Sequence, residues 1–120
     1  MEKRRKTSTL GKLAEDFAVK LLTKKGYKVI ERNFRSRFGE IDIIALKEEI
    51  LVFVEVKARW STKFGKPEEA VTPSKIWKIG RTGEYYSLLH PNLPKKLRID
   101  VVALEIKDGR VVSSKLILAD

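Results

Sequence analysis

Apolar residues recur along this chain at two different periods. Leu10, Leu13, Ala14, Phe17, Ala18, Leu21 and Leu22 fall three and four apart. Only a helix stacks such positions on one face, so the segment predicts an amphipathic α-helix. Ser8 or Thr9 can cap its start, and Gly26 suits the left-handed position that commonly ends a helix. Residues 27–33 predict a first strand, and Arg35-Ser36-Arg37-Phe38-Gly39 a basic loop. Residues 41–46 and 50–58 are then almost wholly apolar, as strands covered on both faces are.

The second half repeats both patterns. Residues 60–69 hold Gly65 and Pro67 without periodicity and predict a loop. Thr72-Pro73 places an N-cap before a proline at the first helical position. The helix that follows turns Ile76, Ile79, Tyr86 and Leu89 inward, with Gly80 and Gly83 weakening it by about 1 kcal/mol each if exposed. Pro91 and Pro94 interrupt the chain, and residues 97–106 and 111–118 are strands joined through Asp108-Gly109, a strong hairpin signal. The order α-β-β-β-α-β-β predicts a single-domain α/β fold, with a central mixed five-stranded sheet flanked by helices and not closed into a barrel. Residues 1–7, with Lys3, Arg4, Arg5 and Lys6, read as a flexible basic tail, and 8–120 as one domain.

Asp42, Glu55 and Lys57 break the two apolar runs at 41–46 and 50–58. An unpaired charge in a strand covered on both faces costs several kcal/mol, so such charges neutralise one another or hold a metal. A hairpin turning at Glu48-Glu49 sets Asp42 opposite Glu55 and Glu40 opposite Lys57, with all four side chains on one face. Like charges directly opposite are destabilising, which makes the Asp42–Glu55 pair poor scaffolding and a good oxygen cage for Mg²⁺ or Mn²⁺. An acid on one strand followed by Glu-x-Lys on the next matches the PD-(D/E)xK nuclease constellation. In that arrangement Asp42 and Glu55 would hold metal against a scissile phosphate. The Val56 carbonyl is a candidate further ligand, and Lys57 either orients the attacking water or stabilises developing charge. Glu15, on the margin of the first helix's apolar stripe, reaches toward the sheet edge; a surface pair with Lys12 is its commoner fate.

Charge adds a partner to this chemistry. Lys and Arg number 26 against 16 Asp and Glu, a net charge of +10, which suits a polyanion such as nucleic acid. Arg35, Arg37, Arg59 and Lys63 fall on loops beside the proposed site, and Lys75 starts a helix, all candidates for DNA phosphate contact. Trp60 and Trp77 are able to stack bases, although burial is the more frequent fate of tryptophan. Arg98 and Asp100 share a strand face, as an ion pair or a DNA contact. There are no cysteines, which excludes disulfides and zinc-thiolate sites and fits a reducing cytoplasm. No apolar run approaches the ~20 residues of a membrane span.

Gly11, Glu15 and Ala18, Arg32-Asn33, Gly39-Glu40-Ile41-Asp42, Phe53-Val54-Glu55-Val56-Lys57-x-Arg59, Lys75 and Arg98-x-Asp100-Val101-Val102 together resemble the YraN-like family of small bacterial proteins. The likeness runs from about Gly11 to Leu118. It implies the restriction-endonuclease-like fold and kinship with archaeal Holliday-junction resolvases, hence a metal-dependent DNA endonuclease acting on branched or damaged DNA, as a homodimer in the resolvase manner. A first-helix glutamate joins the metal site in those resolvases, which raises Glu15 above a surface role. The proline that names the motif is Ile41 here, a departure that a strand position accommodates. A non-catalytic nucleic-acid-binding module, or a subunit activated by a partner, is the alternative that keeps the same fold.

Overall fold

The computed structural model describes residues 9–60 and 65–119, so the basic tail at 1–7 and Lys63 lie outside the described residues. Helix α1 spans Thr9–Lys24 and ends as its sequence predicts. Gly26 adopts φ +91°, and the N–H groups of Gly26 and Tyr27 donate to the carbonyls of Thr23 and Leu22 at 3.1 and 3.0 Å. That is the paired capping pattern that a left-handed glycine permits.

Strands β1 (Lys28–Ser36), β2 (Gly39–Lys47) and β3 (Ile50–Arg59) form an antiparallel meander. The expected basic loop at 35–39 is shorter than its composition suggests. Arg35 and Ser36 pair with Glu40 and Gly39 as the end of β1, leaving Arg37 and Phe38 as a tight turn. The chain then crosses through the short 3₁₀ turn Pro67–Ala70 and helix α2 (Pro73–Leu89), and β4 (Lys96–Lys107) pairs parallel to β3. β5 (Arg110–Leu118) returns antiparallel along β4. Between them Asp108 and Gly109 both have positive φ, +54° and +75°, as the hairpin turn demands. The sheet order β1-β2-β3-β4-β5 makes it mixed and open.

The two helices cover opposite faces. Ala14, Ala18 and Leu22 of α1 pack with Ile43, Ala45, Val52, Val54, Val102 and Leu104. Ile79 and Tyr86 of α2 pack with Ile41, Ile44, Leu51, Phe53 and Ile99. Leu89, expected inward, is instead 50% exposed at the end of α2. Gly83 is buried rather than a weak exposed point: a Cβ there would overlap the Phe53 ring, so the missing side chain is what lets α2 lie so close to β3. Thr72 caps α2 by accepting from the Lys75 N–H at 3.2 Å, with Pro73 at the first helical position.

Candidate functional site

The register expected for β2 and β3 holds as far as Ile43 opposite Val54, where the ladder stops. β3 continues beside β4 to Arg59, so β2 and β3 part like the arms of a fork. Asp42 sits at the crotch. Its Oδ2 accepts the Val56 N–H at 2.8 Å, so a side chain takes a donor that the departing strand no longer reaches. In an extended strand a residue's N–H and C=O point to the same edge, which turns the Val56 carbonyl toward the fork as well.

The expected single face of charges is corrected here. Ile41 packs with the α2-side core while Ile43 packs with the α1-side core, so the two-residue alternation fails around Asp42. The Asp42 carboxylate therefore lies between the strands. Glu55 follows Phe53 on the α2 side and is only 5% exposed. Its Oε2 lies 3.3 Å from the Lys75 ammonium at the start of α2, an ion pair that nothing in the local sequence announces. Lys57, half-buried, shares Glu55's side of β3 by strand alternation. Glu40 is drawn outward, 3.7 Å from the Arg35 guanidinium across the hairpin.

Burial, and then the neighbouring Glu55 charge, push the Asp42 carboxyl up to about 7 against the pull of the Val56 N–H; Glu15 and Glu40 add smaller increments. Glu15 does not take the surface pairing with Lys12, which bonds Asp16 at 3.0 Å instead. Its Oε1 accepts from Arg32 Nη2 at 2.9 Å and from Asn33 Nδ2 at 3.2 Å. Asn33 reaches it from a left-handed backbone, φ +57°. This clasp fixes the glutamate within electrostatic reach of Asp42. Among the described residues, no group of three or more His, Cys, Asp or Glu could hold a metal by itself. The fork offers Asp42, Glu55 and the Val56 carbonyl, all hard oxygens, and Mg²⁺ commonly binds through one or two carboxylates while keeping several waters. The donor set fits such a cation.

The basic candidates scatter around this fork. Arg37 lies in the β1–β2 turn with its guanidinium 5.3 Å from the Phe38 ring. Arg59 ends β3 rather than lying on a loop, and its Nε is buried without a hydrogen-bond partner among the described residues. Trp60 and Trp77 escape the usual burial, at 46% and 64% exposed. Arg98 and Asp100 form a structural pair. The fully buried Asp100 accepts two bonds from Arg98, at 2.9 and 3.0 Å, and one from the Tyr27 hydroxyl at 2.7 Å. Tyr27 was not marked by sequence, since only the fold brings this residue, just before β1, onto β4. No helix among the described residues is long and apolar enough to cross a membrane.

Comparison with known proteins agrees with the motifs. The chain belongs to the uncharacterised protein family UPF0102, which it matches over residues 14–104. It is 46% identical over 101 residues to the UPF0102 protein of Syntrophomonas wolfei, covering 84% of this chain and 88% of that one. Against that of Thermodesulfovibrio yellowstonii it is 48% identical over 99 residues, 82% of this chain and 87% of the relative. Against that of Persephonella marina it is 46% identical over 94 residues, 78% and 81% of the two chains.

Proposed function

We propose that this UPF0102 protein is a metal-dependent DNA endonuclease that hydrolyses phosphodiesters at the β2–β3 fork. One observation carries the reading: two carboxylates are gathered where the sheet splits, at a cost visible in the raised Asp42 pKa. A scaffold has no need of that arrangement, since replacing buried charges with apolar residues is often stabilising. Asp42 and Glu55, with the Val56 carbonyl, are the groups that would hold Mg²⁺ or Mn²⁺. A divalent cation bound there supplies Lewis acidity toward the scissile phosphate.

The chain's own residues account for the rest. The Val56 N–H fixes one Asp42 oxygen and leaves the other for a ligand. Lys57, beside Glu55, is set to offset the negative charge that grows on the phosphate during attack. Lys75 holds Glu55 in place until a stronger cation competes for it. Arg59 at the end of β3 and Arg37 in the β1–β2 turn supply phosphate contacts, which position DNA without reading its sequence. The Lys75–Glu55 pair also favours a second reading, a binding module in which lysine rather than metal permanently neutralises the site.

Incubation with Mg²⁺ or Mn²⁺ and linear, flap, single-stranded and four-way DNAs tests both. The nuclease reading expects cleavage of at least one substrate. It also expects Lys57→Ala to lower that rate about 10²–10³-fold while DNA affinity stays within a few-fold. Tight binding without cleavage of any substrate under either metal would establish the module instead.

A further inference from the structure

An aromatic and cationic flank of α2 lies beside the fork, and its rings have no part in the reaction above. Trp77 is 64% exposed, although large apolar rings are usually well covered. The Arg81 guanidinium lies 5.6 Å from the Trp77 ring centroid and 5.9 Å from that of Phe38, one cation spanning two rings. Arg37 approaches Phe38 to 5.3 Å, and Tyr85 lies 5.5 Å from the same ring. Trp77, Arg81 and Tyr85 are four residues apart in turn, so they share one side of the helix. The flank adjoins the site at two points. Lys75 of the same helix reaches Glu55, and Gly39, next to Phe38, packs so tightly on Thr82 that a Cβ would come within 2.9 Å of its hydroxyl.

We propose that this flank is a stacking platform for unpaired nucleotides, so that the DNA brought to the fork carries a single-stranded segment. The destination of that DNA rests on the nuclease reading; the binding does not. A base presents a flat apolar face joined to an anionic backbone. The flank presents flat rings with guanidinium groups between them, the complement in shape and in charge. Duplex DNA keeps its base faces in its own stack and cannot offer them to Trp77. A second copy of the chain would bring Arg37 and Arg81 against the like charges of another molecule at +10.

The test uses the full chain carrying Trp60→Phe, which makes Trp77 its sole tryptophan, titrated in EDTA with a dT oligonucleotide or a duplex of equal length. Quenching of Trp77 fluorescence by dT and not by duplex is expected. By anisotropy of end-labelled DNA, Trp77→Ala should weaken dT binding about tenfold and duplex binding hardly at all, with Trp77→Phe keeping most of the dT affinity. The exposure of Trp77 leaves folding unthreatened, and a thermal melt of each variant verifies it. Equal losses for dT and duplex, or none, overturn the platform. So does a Trp77→Ala chain that loses self-association in sedimentation while its dT affinity stays constant, which would mark an interface between copies. With Mg²⁺ or Mn²⁺ added, dT binding through Trp77 without cleavage of any DNA supports the platform and removes the nuclease reading. Cleavage that Trp77→Ala leaves equal on flap and duplex does the reverse.

Discussion

Burial and the Glu55 charge raise the Asp42 carboxyl to about 7 in the fold, against an ordinary value of 3.8. The folded state thus prefers the protonated acid. The stability this group contributes is complete below about 3.8 and is lost as pH rises through about 7, at up to about 1.4 kcal/mol per pH unit. Asp42→Asn keeps the shape and an acceptor for Val56 while removing the charge. Without metal, the variant should melt above the wild type at pH 8 and level with it near pH 4. Mg²⁺ or Mn²⁺ should raise the wild-type midpoint and leave the variant's almost fixed, because only the folded carboxylate binds the ion. Calorimetry giving both proteins one metal affinity would remove the cage. Asp42, Glu55 and Lys57 were legible in the sequence because charges stand out in apolar strands. The Lys75–Glu55 ion pair was not, since Lys75 read as a phosphate contact and its partner lies across the β3–α2 crossover, with no local pattern to link them.

At the scale of the elements, the two α2 glycines should answer oppositely to the same change. Gly80→Ala sets a Cβ 3.8 Å from Ile99 Cδ1, an ordinary contact, and should stabilise by up to about 1 kcal/mol through helix propensity. Gly83→Ala meets the Phe53 ring and should destabilise by about 1–3 kcal/mol, despite the same propensity gain. Denaturant midpoints of the two variants decide it, and a stabilised Gly83→Ala would mean that α2 can lift from β3 freely. Periodicity made the helices readable, and the Glu48-Glu49 turn made the β2–β3 register readable, because in a hairpin the turn fixes which residues face each other. The end of β1 was hidden by composition: Arg35 and Ser36 look like loop residues but lie on an edge strand, where charge is welcome. The parting of β2 from β3 had no sequence mark at all, since Ile41 and Ile43 are alike and only their cores differ.

Over the whole molecule, a charge of +10 on 120 residues predicts a field that gathers polyanions, and salt dependence measures how many phosphates it holds. Log affinity for duplex DNA should fall linearly with log salt, each neutralised phosphate adding about −0.9 to the slope. The double variant Arg37→Ala, Arg59→Ala should flatten that slope by nearly two units if both residues touch phosphate. Arg37 is exposed, and Arg59 is half-buried with no partner to its Nε among the described residues, so the fold should tolerate both changes. An unchanged slope in a folded double variant would move the DNA track elsewhere on the surface.

The bond from the Val56 N–H to Asp42 turns one amide into a resident reporter. Most strand amides sense only their ladder, but this proton rests on an oxygen whose charge changes near neutral pH. In a nitrogen–proton correlation spectrum, the Val56 resonance should migrate with pH about the Asp42 midpoint while its neighbours along β3 move little. Any ion or phosphate that claims Asp42 should shift the same peak. A catalogue of candidate ligands can therefore be screened on a single signal, before a substrate for the protein is in hand.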